Sequence, residues 1–126
     1  MKRQCNLIMN SVLENYCASV DFPDVSGAEH LEMLQIRDRL AESESQLSEE
    51  EKILLTKADR QLIEHVNVFY QELSRFVNLA EIRKAEAIIP QRWWWYLDVL
   101  VVLPISLKAE LKSRNVDMDE VLAAKD

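Results

Sequence analysis

The sequence predicts an all-α fold, and three observations carry that expectation. Its 126 residues include one glycine and three prolines, whereas sheet folds draw heavily on turn residues. Apolar residues recur at steps of three and four along most of the chain, the period of one helix face. Ser26 and Ser48 each precede a glutamate by three residues at the start of such a stretch, the pattern of a capping box. One domain, residues 1–126, is expected at this length, with a core that needs no disulfide or metal. A composition 48% hydrophobic and 29% charged is that of an ordinary globular chain rather than a disordered one. The expected architecture is a bundle of five to six helices around one long central helix.

Cys5, Ile8, Met9, Val12, Leu13, Tyr16, Cys17 and Val20 place a first amphipathic helix over about Lys2 to Val20. Asp21-Phe22-Pro23-Asp24 ends it, because a residue before proline is steered away from helix. Ser26-Gly27-Ala28-Glu29 then caps a second helix, Gly27 to Gln46. Leu31, Leu34 and Leu40 form its apolar side, with Met33 and Ile36 adjacent. Glu29, Glu32, Asp38, Glu42 and Glu44 read as its solvated acidic side.

Ser48-Glu49-Glu50-Glu51 caps the next segment, and its acids suit the positive end of the helix dipole. Leu55, Ala58, Leu62, Val66, Phe69, Leu73, Phe76 and Ala80 then step by three or four. Ile63, Tyr70 and Val77 add a second stripe. A single helix from Ser48 to Ala87 is about 60 Å long, while a domain of this size is about 35 Å across. The segment therefore breaks, at Asn78 or within the polar Glu81–Glu86 stretch, or it projects and buries its stripes against a second copy. Two stripes exceed what one antiparallel neighbour covers. Homodimerisation is thus the expectation, through Leu62, Val66, Phe69, Tyr70, Leu73 and Phe76.

Pro90 is placed to open the next helix, where its missing N–H costs nothing, and Pro104 to end it. Ser106 to Asn115 reads as a short amphipathic helix with Leu107 and Leu111 inward. Asp117-Met118-Asp119-Glu120 starts a last one carrying Val121 and Leu122.

Trp93-Trp94-Trp95-Tyr96 is the most distinctive feature. Four consecutive side chains on an α-helix spread over roughly 300° of its circumference. The rings are either enclosed by this chain, or set at an interface, or used to wall a ligand pocket. Asp98 follows among Leu97, Val99 and Leu100, where a carboxylate needs donors. The indole N–H of Trp94 or Trp95 is within helical reach of it, and an arginine must come from another element. Asp98 is then a solvent-facing edge residue, a buried residue that sets helix register, or an acid–base or anchoring group. Arg92, Trp93, Trp94, Trp95, Tyr96 and Asp98 together form the candidate binding region.

Other chemistry finds little support. Neither His30 nor His65 has a carboxylate three residues earlier, and there is no paired Cys or His motif, so no metal is expected. Gly27 alone makes no phosphate-binding loop, and no cofactor is expected. The net charge is −7 with no basic cluster in the sequence, which disfavours nucleic acid and anionic membranes. Leu97 to Leu103 is too short to span a bilayer. No signal peptide is expected, since Lys2 and Arg3 have no apolar run behind them. Cys5 and Cys17 on one helix lie about 18 Å apart, too far to bridge, which suits the cytoplasm.

The functional expectation is a small cytosolic helical interaction protein, an adaptor, assembly factor or regulator. It self-associates through the long helix and presents an aromatic patch. The alternative is a ligand-binding module with a hydrophobic pocket lined by the Trp93–Tyr96 region. A third reading is a small enzyme using Asp98 or His65 as acid or base.

Overall fold

The computed structural model describes residues 10–103, and among them there is helix and no strand. The expected helices after Pro104, and the expected first helix before Asn10, lie outside the described residues. Helix α1 is Ser11–Val20. The pattern read as one helix from Lys2 is interrupted at Asn10, which is extended. Its Oδ1 accepts from the backbone N–H of Val12 and Leu13 at 2.9 and 3.1 Å, so Asn10 is the N-cap.

Helix α2 is Gly27–Ser43, continued by a 3-10 turn over Glu44–Gln46. Ser26 Oγ accepts from Glu29 N at 3.3 Å, as the capping pattern predicts. Gly27, the chain's single glycine, is not needed for its φ angle but for room. A Cβ there would stand 2.5 Å from the Glu72 carbonyl oxygen and 2.7 Å from Phe76 Cβ.

The segment expected to form one long helix is three: α3 (Glu49–Glu64), α4 (Val66–Ser74) and α5 (Leu79–Glu86). At the head of α3, Ser48 and Glu51 form the full capping box, at 3.1 and 2.9 Å. The first break is at His65, whose φ and ψ are −106° and 24°. Its N–H still bonds to Gln61, and its carbonyl starts α4 by accepting from Val68 and Phe69. The second break follows α4. Asn78 is extended, and its Oδ1 accepts from Glu81 N at 3.1 Å, capping α5.

These breaks decide what covers the apolar stripes. α1 packs on α2 and α3, and α2 packs on α4. Leu62, Phe69 and Leu73 are fully buried and Val66 nearly so. Tyr70 is half-buried, and only Phe76, past the last turn of α4, is well exposed. The residues expected to need a second copy are mostly covered by this chain.

Ala87 closes α5 in the left-handed conformation, φ 50° and ψ 50°, a C-cap geometry usually given to glycine. Pro90 does not open a helix. It is the second residue of a turn closed by Arg92 N donating to Ile89 O at 3.0 Å, where its fixed φ is already correct. Trp93–Tyr96 form a 3-10 turn, and α6 (Leu97–Leu100) follows directly. The aromatic turn packs on α5 and α2, and α6 packs on α4. No helix among the described residues is long and apolar enough to cross a membrane.

Candidate functional site

The four rings of the aromatic run are all buried, Trp93, Trp94 and Trp95 at 3–4% exposure and Tyr96 at 8%. They do not form a surface patch. A 3-10 turn holds three residues per turn, so the rings leave its axis in different directions. Trp94 and Trp95 both donate their indole N–H to Asp38 Oδ1, each at 2.8 Å. Arg92 Nη1 reaches the same oxygen at 2.8 Å. Asp38, expected on the solvated side of α2, is therefore the acceptor that aligns the run. Trp93 meets Trp94 edge-to-face, centroids 5.7 Å apart, and Tyr96 donates its hydroxyl to the Ile88 carbonyl at 3.1 Å.

Asp98 takes its arginine from another element, as expected. Arg83 on α5 grips it with both nitrogens, at 2.6 and 3.1 Å, and donates to the Trp95 carbonyl at 2.9 Å. The same guanidinium carbon lies 4.5 Å from the Tyr96 ring centroid. The indoles of Trp94 and Trp95 bond Asp38 rather than Asp98. Asp98 is thus a half-buried partner that fixes α5 against α6.

A second arginine organises the opposite side. Arg37 of α2 is 4% exposed. Its Nε and Nη2 donate to the two oxygens of Asp59 on α3, at 3.0 and 3.1 Å. Tyr16 of α1 adds its hydroxyl to Asp59 Oδ1 at 2.6 Å. The guanidinium also stacks on Trp94, its carbon 4.2 Å from the ring centroid. Burial pushes the Asp59 carboxyl above the ordinary carboxylate range, against the pull of Arg37 and the Tyr16 hydroxyl. Burial and the charge of Asp59 hold the Tyr16 phenol well above its usual value. Burial opposes the charge of Arg37, but Asp59 outweighs it and the guanidinium is held more firmly protonated.

One donor of this cluster is left over. Arg37 Nη1 is shielded from solvent and has no hydrogen-bond partner. Glu44 stands beside it at 3.8 Å, too far for a bond, with its own side chain half exposed. This corner belongs to a cleft of about 580 Å³ between α2, α3 and the Ile89–Trp94 segment. Trp93 and Trp94 form part of its wall. Arg37, Lys52, Arg60 and Arg92 line it, against the two acids Glu44 and Asp59.

The predicted site residues therefore divide. Arg92, Trp93 and Trp94 reach this cleft. Trp95 lines a separate hollow of about 280 Å³ with Asp38, Glu86 and Ile88. Tyr96 and Asp98 belong to the Arg83 cluster. His65 is exposed at the α3–α4 junction and is not on the cleft.

Sequence reasoning missed Arg37, Asp59, Lys52, Arg60 and the Asp38 acceptor, and found no basic patch. The four cations come from three elements, Arg37 from α2, Lys52 and Arg60 from α3 and Arg92 from the turn before the aromatic run, and meet only on folding. Two of these residues did leave a trace. Arg37 lies three residues from both Leu34 and Leu40, and Asp59 four from both Leu55 and Ile63, so each is a charge set into an apolar register. Among the described residues, no three His, Cys, Asp or Glu side chains are grouped to hold a metal ion. No protein-family model, characterised protein or solved structure matches this chain.

Proposed function

We propose that this chain is a non-catalytic, cytosolic helical binding module that takes a small ligand in the Arg37 cleft. The observation that carries the reading is a charged group already fixed in a concave site. Arg37 is held by Asp59 on one edge and by Trp94 on one face, so little ordering is left to do when a ligand arrives. The cleft's volume of about 580 Å³ is in the range of small-molecule sites. It differs from the hydrophobic pocket expected from the sequence, since charged residues contribute much of its lining.

The non-catalytic part rests on the two candidate groups. Asp98 is engaged by Arg83, and His65 lies off the cleft. The cytosolic part rests on the sequence alone. An adaptor, assembly factor or regulator acting through a second copy draws less support. Most of the stripe that motivated it is enclosed, and the well-exposed apolar side chains Phe22, Ile53, Phe76, Ile89 and Val102 lie on five different segments.

A fragment library with acidic, basic and neutral members tests the module reading, with the side-chain N–H signals of tryptophan and arginine followed by NMR. Binders are expected to move Trp93, Trp94 and Arg37 together and saturably. A library that leaves those signals unmoved, or whose binders scatter over other surfaces, contradicts the reading.

A further inference from the structure

We infer that the ligand of this cleft is a small organic oxyanion, a carboxylate or phosphate ester on an apolar body, that bonds Arg37 Nη1 by taking the place Glu44 holds beside it. The inference rests on the binding-module reading above and names its ligand class.

The geometry of Arg37 decides the ligand's head. Nε and Nη2 are spent on Asp59, and Trp94 covers one face of the guanidinium. What remains is Nη1, a buried cationic donor with no acceptor, and a donor left so is costly. Glu44 does not fill the gap. At 3.8 Å it contributes charge without a hydrogen bond, and its side chain sits half exposed at the first residue of a 3-10 turn.

Charge selects the sign. Asp59 is matched by Arg37, which leaves Lys52, Arg60 and Arg92 on the lining against Glu44 alone. Arg92 is shared with Asp38, and Lys52 with the exposed Glu49, so Arg60 is the cation to which neither of those acids is assigned. Once a ligand displaces Glu44, Arg60 is left unmatched on the lining, and a cationic ligand meets that charge unfavourably. A neutral acceptor satisfies Nη1 but leaves the rim charges unused. An oxyanion uses both, and charge-assisted bonds to a guanidinium are the strong ones. The apolar body is suited by Ile89, 53% exposed although it lines the cleft, and by the Trp93 wall.

The test is calorimetric titration of the full chain with 2-naphthoate, 2-naphthyl phosphate, the neutral isostere 2-naphthamide, and acetate and inorganic phosphate. At least one of the two naphthyl anions is expected to bind about tenfold or more tighter than the amide, and the comparison between them identifies the head group. Acetate and inorganic phosphate are expected to bind more weakly than their naphthyl counterparts. Glu44→Gln is expected to tighten the anion about threefold or more by removing a competing charge, and Arg60→Gln to weaken it. Both positions are exposed, so these variants are expected to fold, and their circular dichroism serves as the check. Amide binding equal to the acids overturns the inference, as does an unchanged affinity in Glu44→Gln, or no binding by any anion. If the fragment library still fills the cleft with neutral or basic molecules, the inference fails while the binding-module reading stands. If no fragment enters the cleft, both fail.

Discussion

The guanidinium carbon of Arg37 lies 4.2 Å from the ring centroid of Trp94. The next residue of α2, Asp38, holds the same indole by its N–H at 2.8 Å. Two consecutive residues thus grip one ring, by its face and by its edge. The tryptophan run is therefore part of the frame that builds the cleft, and only two of its rings reach the cleft wall.

Removing the edge contact leaves two buried indole donors and one arginine without their acceptor. Asp38→Ala is expected to lower the unfolding free energy by about 2 kcal/mol, allowing for the partial exposure of the carboxylate. It is also expected to move the indole N–H signals of both Trp94 and Trp95. Urea denaturation and a 1H–15N spectrum check this. A change confined to one indole contradicts the shared acceptor.

Gly27→Ala replaces a poor helix former with the best one, yet it is expected to destabilise. The new methyl meets a backbone oxygen of α4 and Phe76 Cβ, and overpacking of this kind costs about 1–3 kcal/mol. A denaturation midpoint that rises in the alanine variant contradicts the close approach of α2 to the end of α4.

Tyr16 makes stability fall at high pH. Its phenol is held above the ordinary 10.0 by burial and by Asp59. Above about pH 10 the unfolded chain releases this proton while the folded chain keeps it, which favours unfolding. The contribution is fully present below pH 10. It is lost as pH rises toward the folded value, at about 1.4 kcal/mol per pH unit. Tyr16→Phe is expected to be less stable than wild type at pH 8 and to lack this alkaline loss, so the two stability curves converge. Curves that stay parallel to about pH 11 contradict the assignment.

Leu62→Ala tests the enclosed stripe. Leu62 is fully buried within one chain, so its truncation is expected to cost about 2–5 kcal/mol, with a midpoint independent of protein concentration. Size-exclusion chromatography with light scattering accompanies the denaturation. Dissociation of a wild-type dimer by this substitution, with the fold retained, contradicts the account.

Helix type, caps and most core positions were legible because they depend on local spacing. Ser48 and Glu51 cap each other three residues apart in any context, and the Leu55–Leu73 stripe is apolar whichever surface covers it. Where the stripe turns back was less legible. Asn78 was one of the two break points that the sequence offered, whereas nothing in the sequence marked the break at His65. Pro90 suited both a helix start and a turn, and the turn won because it carries the chain from α5 into the aromatic run. The cleft was the least legible part. Arg37 meets Asp59 across 22 residues and Trp94 meets Asp38 across 56, and a charge in an apolar register does not name its partner.

The side-chain 1H–15N spectrum of arginine during titration with 2-naphthoate or 2-naphthyl phosphate tests the central claim most directly. Arg83 is the internal control, because both its terminal nitrogens are already bonded. The account predicts that Arg37 shifts saturably, more strongly in Glu44→Gln, while Arg83 stays in place. An unmoved Arg37, or equal drift of both arginines with ionic strength, contradicts it.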